Sequence, residues 1–197
     1  LGLTLFTVFF VRRSFDAREI EFLLTRPLSR LSFVLSYAAA FTILSVVTGA
    51  LLSLLVGVAS IHYGNFQGIA LWSFGVTFEF ILVTCVAFFF SMVLSSPVSA
   101  GLTTFGFYLL TRLMGQLLSI VHHQTAADAF DYVMYGLGKF MNVISVVIPR
   151  LDLMTQTTWL LYGGGAVSDW LFIVGQSAVF LGLVLTATYI DLKKRQF

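Results

Sequence analysis

The chain has 197 residues, of which 58% are hydrophobic and only 10% are charged, and its formal net charge is +2. A soluble domain carries roughly 25% charged residues, because it needs a polar surface. This composition excludes a soluble globular domain, and the 16% of aromatic residues exclude a disordered chain. The small net charge does not suggest nucleic acid as a partner. The sequence therefore predicts an integral membrane protein.

Long uncharged runs indicate how often the chain crosses the membrane. About 20 apolar residues cross the hydrocarbon layer as a helix, and these runs lack the alternation of membrane strands. The predicted fold class is all-α: a polytopic transmembrane helical bundle with a cytoplasmic amphipathic elbow helix and external re-entrant or interfacial helices. We predict the end of a span at 1–11, spans at 28–59, 69–95, 98–122 and 169–191, and an external segment at 123–168.

The first 11 residues are too short to span a membrane, and they lack the basic start and small-residue cleavage site of a signal peptide. We interpret them as the end of a helix whose beginning is absent from this chain.

Lys and Arg residues gather in two clusters, one after the stub at 1–11 and one after the last span. Four predicted crossings separate the clusters, so both lie on one side, and an excess of basic residues marks the cytoplasmic side. We therefore predict a cytoplasmic C-terminus. The clustered residues are Arg12, Arg13, Arg18, Arg26, Arg30, Lys193, Lys194 and Arg195.

The apolar block at 132–148 resembles a further span by composition. A crossing there would move the C-terminal basic cluster to the outside, so we predict an amphipathic or re-entrant helix that ends at Pro149. We predict a second such element at 153–165, where Trp159 and Tyr162 suit the level of the lipid headgroups.

The segment between the stub and the first full span is the most charged part of the sequence. Ser14 is the predicted N-cap of a helix with acidic residues in its first turn, and Pro27 is predicted to begin the next helix. One face of the helix is apolar and the opposite face is polar. We predict a short amphipathic helix over 14–27 on the cytoplasmic surface, which either rests on lipid or docks a soluble partner.

The sequence DAREIEFLLTRPLSRLSFVLS resembles the cytoplasmic loop of type-2 permeases of ATP-binding-cassette transporters. The C-terminal DLKKRQF and the external IPRLDLMTQTTWLLYGGG are similar to the tail and the external segment of the same family, and the three occur in the family's order. The loop residues that match are Arg18, Glu19, Leu23, Leu24, Pro27, Ser29, Arg30 and Phe33.

The resemblance implies a permease subunit that moves an unidentified substrate, in the direction of export, across a bacterial or archaeal cytoplasmic membrane. It implies that 1–197 is one transmembrane domain that lacks one and a half N-terminal spans, and that the subunit forms a homodimer or heterodimer. The elbow would be the coupling helix on a separate ATPase subunit, which it would contact through Arg18, Glu19, Glu21, Leu24 and Arg26.

The chain contains no Gly-rich phosphate loop of the GxxxxGK[ST] kind. We therefore predict that it is not an enzyme and binds no cofactor itself, and that ATP and Mg²⁺ belong to the ATPase partner.

Small residues recur at every fourth position of the first full span, where they form a smooth stripe roughly 18 Å long. Such stripes mark close approach of two helices in lipid, so we predict packing; a polar lining for a pathway is the alternative. The residues are Ser45, Gly49, Ser53 and Gly57.

Polar residues recur at the same interval in the span 98–122, and we interpret them as a pathway-lining or gate surface; a structural role for Arg112 is the alternative. The residues are Thr104, Tyr108, Arg112 and Gln116. Arg112 and Glu79 both lie roughly 15 Å deep in spans joined by a short turn, so we predict that they pair. Separate wet cavities, or a protonated Glu79, remain alternatives.

A metal site is the main competing interpretation. His122, His123, Asp128 and Asp131 cluster at the end of the span 98–122. Adjacent histidines on a helix point about 100° apart, so a polar patch at the water interface is favoured and no metal ligand is predicted. The alternative functions are accordingly a membrane-embedded metal-dependent enzyme at this cluster, or a scaffold that transports nothing.

Overall fold

The structure, a computed structural model, describes residues 2–17, 29–60, 66–123, 136, 139, 148–163 and 167–194, with residues 16 and 117–123 described by their backbone alone. Its helices are α1 (Gly2–Asp16), α2 (Arg30–Ser60), α3 (Phe66–Val93), α4 (Pro97–His123), α5 (Leu151–Met154), α6 (Thr158–Tyr162) and α7 (Val167–Lys194). No strand occurs in these ranges, and the predicted all-helical class is confirmed for them.

Three of the helices are long and apolar enough to cross a membrane. They are α2, α3 and α7, with 31, 28 and 28 residues and mean hydropathies of 2.3, 2.2 and 1.9 over their most apolar windows. Helix α4 has a comparable length of 27 residues, but its polar side chains leave it less apolar than these three. The prediction of an integral membrane protein is thus supported by three helices of the required kind.

Helix α3 forms the centre of the bundle and packs against all the other described helices. Of its most apolar window 67% is buried, against 17% for α2 and 22% for α7. Its largest fully buried side chains include Phe88, Leu71, Leu82 and Met92. The other helices therefore use α3 as their common core, and their outward faces carry exposed leucine, valine and isoleucine.

The turn between α3 and α4 agrees with the prediction of two neighbouring antiparallel helices. Only Leu94, Ser95 and Ser96 separate the two helices, and Pro97 begins α4. Proline suits this position because the first helical residue needs no backbone N–H and has a φ close to that of proline. The turn thus places the middle of α4 beside the middle of α3.

The predicted start of the elbow helix at Ser14 is wrong. Helix α1 runs on without a break to Asp16, Ser14 is only 4% exposed inside it, and the N–H of Ala17 still bonds to the carbonyl of Arg13 at 2.9 Å. No proline or glycine interrupts this stretch, so helix continuation prevails over the capping preference of serine.

The start of the following helix also differs from the prediction. Helix α2 begins at Arg30 rather than at Pro27, and the Ser29 hydroxyl accepts a hydrogen bond from the N–H of Ser32 at 3.1 Å. Ser29 therefore caps α2. The remainder of the predicted elbow, 18–27, and the block at 132–148 lie outside the described residues, apart from positions 136, 139 and 148.

Two arginines define one end of the bundle, which we call the basic end. Arg30 donates from Nη1 to the carbonyls of Leu192 and Lys193 at 3.0 and 2.9 Å. Arg12 donates to the carbonyls of Ser91 at 3.4 Å and of Ser95. The end of α1, the start of α2, the turn between α3 and α4 and the end of α7 therefore lie together, and we call the opposite end the far end.

Candidate functional site

Glu79 and Arg112 form the centre of the site. Glu79 lies in the middle of α3 and Arg112 in α4, and Arg112 Nη1 lies 3.2 Å from Glu79 Oε2. The pairing predicted from equal depth in two joined helices is confirmed by this distance. The Glu79 side chain is 10% exposed and that of Arg112 is 39% exposed, so the carboxylate is enclosed and the guanidinium reaches the edge of the bundle.

A third element completes the pair, and the sequence did not predict it. Thr155, which follows α5, donates from Oγ1 to Glu79 Oε2 at 2.9 Å. Arg112 Nη1 donates both to Thr155 Oγ1 and to the carbonyl of Leu151, the latter at 3.1 Å. Tyr108 is a further hydrogen-bond partner of Glu79. Helix α5 and Thr155, the residue after it, thus bind the ion pair that joins α3 and α4.

Glycines in α3 allow the backbone of this segment to come so close. A Cβ at Gly75 would lie 1.8 Å from the carbonyl oxygen of Met154, and a Cβ at Gly68 would lie 1.9 Å from that of Trp159. Both distances are far inside van der Waals contact, so no other residue fits without moving the segment. The two glycines, about two helical turns apart, form two notches on one face of α3.

A second ion pair fixes the start of the same segment, 148–163. Arg150 Nη2 lies 3.0 Å from Asp152 Oδ2, and this carboxylate rests on Gly115 of α4, where a Cβ would meet it at 2.2 Å. Gln176 of α7 accepts from the N–H of Arg150 at 3.1 Å and donates to the carbonyl of Ile148 at 3.3 Å. The segment is therefore tied to α3, α4 and α7.

The segment also borders an open cavity of about 430 Å³ on the side of α7. Its wall combines apolar and aromatic side chains with an amide, a hydroxyl and a carboxylate. The lining residues are Leu153, Gln156, Trp159, Ser168, Asp169 and Phe172. Trp159 was predicted at the level of the lipid headgroups, but it is buried with 9% exposure, whereas Tyr162 is exposed.

The charges of the site balance, because each carboxylate has one arginine partner. An isolated acid or arginine at the centre of a membrane helix costs about 2.5–3.5 kcal/mol on insertion scales. Pairing and the added hydroxyl and carbonyl bonds offset part of this cost, and removing one partner of a buried pair leaves the other uncompensated. The arrangement can therefore hold three chain segments together, or release them if the pair separates.

The predicted polar stripe of α4 divides into members inside and outside the site. Tyr108 and Arg112 bind Glu79. Thr104 is buried but donates to the carbonyl of Ala100 in its own helix at 2.7 Å, and Gln116 is exposed. The structure thus brings together two residues of the stripe.

Three members of the predicted small-residue stripe of α2, Ser45, Gly49 and Gly57, lie against α3. Ser45 Oγ lies 3.2 Å from Thr84 Oγ1, and a Cβ at Gly49 would lie 2.7 Å from Thr77 Oγ1. Farther along, Gly57 lies beside Ile69, and Ser53 Oγ is buried.

The predicted ATPase contacts at 18–26 lie outside the described residues, as do the side chains of His122 and His123 and residue Asp128. Within the described ranges, no three His, Cys, Asp or Glu side chains gather closely enough to hold a metal ion. Comparison with known protein families, with curated proteins and with solved structures finds no match to this chain.

Proposed function

We propose that the chain is a transmembrane permease subunit of an ATP-binding-cassette transporter that exports its substrate and works as a dimer with cytoplasmic ATPase subunits. The proposal starts from the resemblance of the charged loop, residues 17–28, to the corresponding loop of type-2 permeases. Three helices with the length and hydropathy of membrane spans support it, and α4 is the fourth proposed span.

The observation that carries the proposal is the position of the two residues that flank the charged loop. These residues, Asp16 and Ser29, lie at the basic end, together with the end of α7. An excess of Lys and Arg marks the cytoplasmic side of a membrane protein. A loop that leaves and re-enters the bundle at that end is in the right place to receive a soluble ATPase.

The ion pair of Glu79 and Arg112 is proposed as part of the moving core. ATP-driven closure of the ATPase subunits would push the loop, and the spans would rock between inward-open and outward-open arrangements. The segment 148–163 closes the far end between α3, α4 and α7, and the cavity beside it leaves room for displacement. Separation of the Thr155 hydroxyl from Glu79 would then accompany opening.

Co-purification tests the proposal. The full-length protein, isolated in mild detergent, should retain an ATPase subunit in a fixed ratio, and the double reversal Arg18→Glu with Glu21→Arg should abolish this retention. Lys194→Glu, an exposed charge reversal at the same end of the bundle, is the matched control and should retain the subunit.

An isolated chain that retains no ATPase would contradict the proposal. A stoichiometric bound metal with hydrolytic activity would favour the membrane enzyme instead. A charge-reversed loop that holds the ATPase as firmly as the parent would show that docking lies elsewhere.

A further inference from the structure

The two arginines at the basic end bind the carbonyls that end two other helices. Arg12, on α1, donates to the carbonyl of Ser91 in the last turn of α3 and to that of Ser95 in the turn that follows α3. Arg30, the first residue of α2, donates to the carbonyls of Leu192 and Lys193 at the end of α7. The last carbonyls of a helix have no partner within the helix and carry its negative dipole end, so a guanidinium is well suited to both positions.

These contacts are more specific than a general excess of positive charge. Arg13 stands next to Arg12 in the sequence but is exposed, and none of the described contacts involves its side chain. Arg12, in contrast, also lies over the ring of Phe15 at 5.7 Å, and its Nε atom is buried. The protein therefore holds one arginine of an adjacent pair in a fixed position and leaves the other in solvent.

The positions of the two arginines in the sequence carry the inference. Arg12 lies about one helical turn before Asp16, and Arg30 directly follows Ser29, so the two arginines stand on either side of the charged loop. Each joins its own helix to one that is distant in the sequence: α1 to α3, and α2 to α7. Helix α3 carries Glu79, and α7 carries Gln176, which holds the segment at the far end.

We propose that Arg12 and Arg30 are positioning residues that transmit displacement of the charged loop to α3 and α7. This inference rests on the proposed function for the source of the displacement, the ATPase subunit. Arg12 donates to its two carbonyls from Nη1 and Nη2, and Arg30 donates to its two carbonyls from Nη1. Two bonds from one rigid guanidinium resist sliding of one helix end past the other. A push on the loop therefore moves the ends of α3 and α7. Through these helices it also moves Glu79 and Gln176, which hold the segment 148–163.

The test uses the full-length protein with its co-purified ATPase subunit in lipid nanodiscs. Nitroxide labels at Ser96, in the turn after α3, and at Lys194, at the end of α7, report the distance between these helix ends; both positions are exposed, and Cys85 is buried. The distance is measured without nucleotide and with ATP, Mg²⁺ and vanadate. The parent should show a shift between the two states.

The double variant Arg12→Gln with Arg30→Gln should lose more than half of this shift while retaining the ATPase and the nucleotide-free distance. A merely structural role would not reduce the nucleotide-dependent shift selectively. Arg13→Gln, which removes the neighbouring charge, should keep the full shift. The pair Arg12→Lys with Arg30→Lys should give an intermediate shift, because an ammonium keeps the charge but not the planar, fixed donors of a guanidinium.

A full shift in the glutamine pair would overturn the inference and leave the proposed function intact. If the glutamine pair does not fold, the lysine pair decides, and a full shift there would likewise overturn it. Failure of the parent to retain an ATPase, or to respond to nucleotide, would overturn the proposed function and this inference with it.

Discussion

The most apolar windows of helices α2 and α3 have almost the same mean hydropathy, 2.3 and 2.2. Only 17% of the α2 window is buried, however, against 67% of the α3 window. Helix α2 contacts α3 along the stripe of Ser45 and Gly49, and its opposite face exposes Leu51 and Leu55. Helix α3 packs against all the other described helices. Hydropathy therefore indicates which segments enter a membrane, but not which of them forms the core.

The difference between the two helices arises from small and polar residues. In lipid, association depends on close packing and on hydrogen bonds, because leucine gains little by exchanging lipid for protein. Helix α3 offers the notches at Gly68 and Gly75, the carboxylate of Glu79 and the hydroxyl of Thr84. These features bring neighbours to several of its faces, whereas α2 offers one stripe.

The largest loss of stability is expected when the notch at Gly75 of α3 is filled. Gly75→Leu would force a side chain into the carbonyl of Met154, so we expect a loss of stability of about 3 kcal/mol or more. Thermal unfolding in mild detergent measures it. Gly106→Leu in α4, where a Cβ meets nothing within 4 Å, is the control and should change little. Equal effects at both glycines would refute the close approach of the segment.

The second largest loss of stability is expected when the ion pair of Glu79 and Arg112 is broken. Glu79→Gln or Arg112→Gln alone should destabilise by about 2 kcal/mol, because each leaves a partly buried charge without its partner, and the exposure of Arg112 keeps the effect below that of a fully buried pair. The double variant should lose less than the sum of the two. A double-mutant cycle of unfolding midpoints checks this, and strict additivity would contradict a direct interaction.

Substitutions at the contact between α2 and α3 should reduce stability less. Gly49→Leu should destabilise by about 1–3 kcal/mol, because its first added atom meets the side chain of Thr77, which can move in part. Leu51→Phe, on the exposed face of the same helix, should stay within about 0.5 kcal/mol. The same unfolding assay applies, and a larger loss for Leu51→Phe would reverse the assignment of the two faces.

The smallest effect is expected at the cap of α2. Ser29→Ala removes the acceptor for the N–H of Ser32 and should cost about 1 kcal/mol. Ser29→Asp should retain most of the parent's stability, since aspartate also caps helices. A helix that begins at Pro27 instead of Arg30 would leave the stability of both variants unchanged.

The sequence allowed the ion pair and the stripe to be predicted because both depend on regular helices. Glu79 and Arg112 are single charges in long apolar runs, and counting residues from a short turn places them at one depth. The interval of four residues from Ser45 to Gly49 likewise defines one helix face.

Other parts of the site could not be predicted, because they depend on a segment without helical periodicity. Thr155 has no feature that separates it from Thr157 and Thr158, and only the tertiary position of α5 brings it to Glu79. Gly75 accommodates the end of the four-residue helix α5 rather than a long second helix, so no repeat of small residues marks its partner.

The wrong prediction of a helix start at Ser14 has a similar cause. Its capping preference is a local signal of about 1 kcal/mol, and packing of α1 against α3 outweighs such a signal. Local propensity therefore predicted the polar character of this stretch but not the point at which the helix ends.

Labelling from the lipid phase tests the contrast between α2 and α3 most directly. An apolar carbene precursor dissolved in the bilayer, activated by light and located by mass spectrometry, should modify the exposed face of α2 at Leu51, Leu54 and Leu55. The equally apolar residues Leu71, Leu82 and Phe88 of α3 should remain unmodified, because the other helices enclose them. Comparable labelling of both helices would contradict a bundle built around α3.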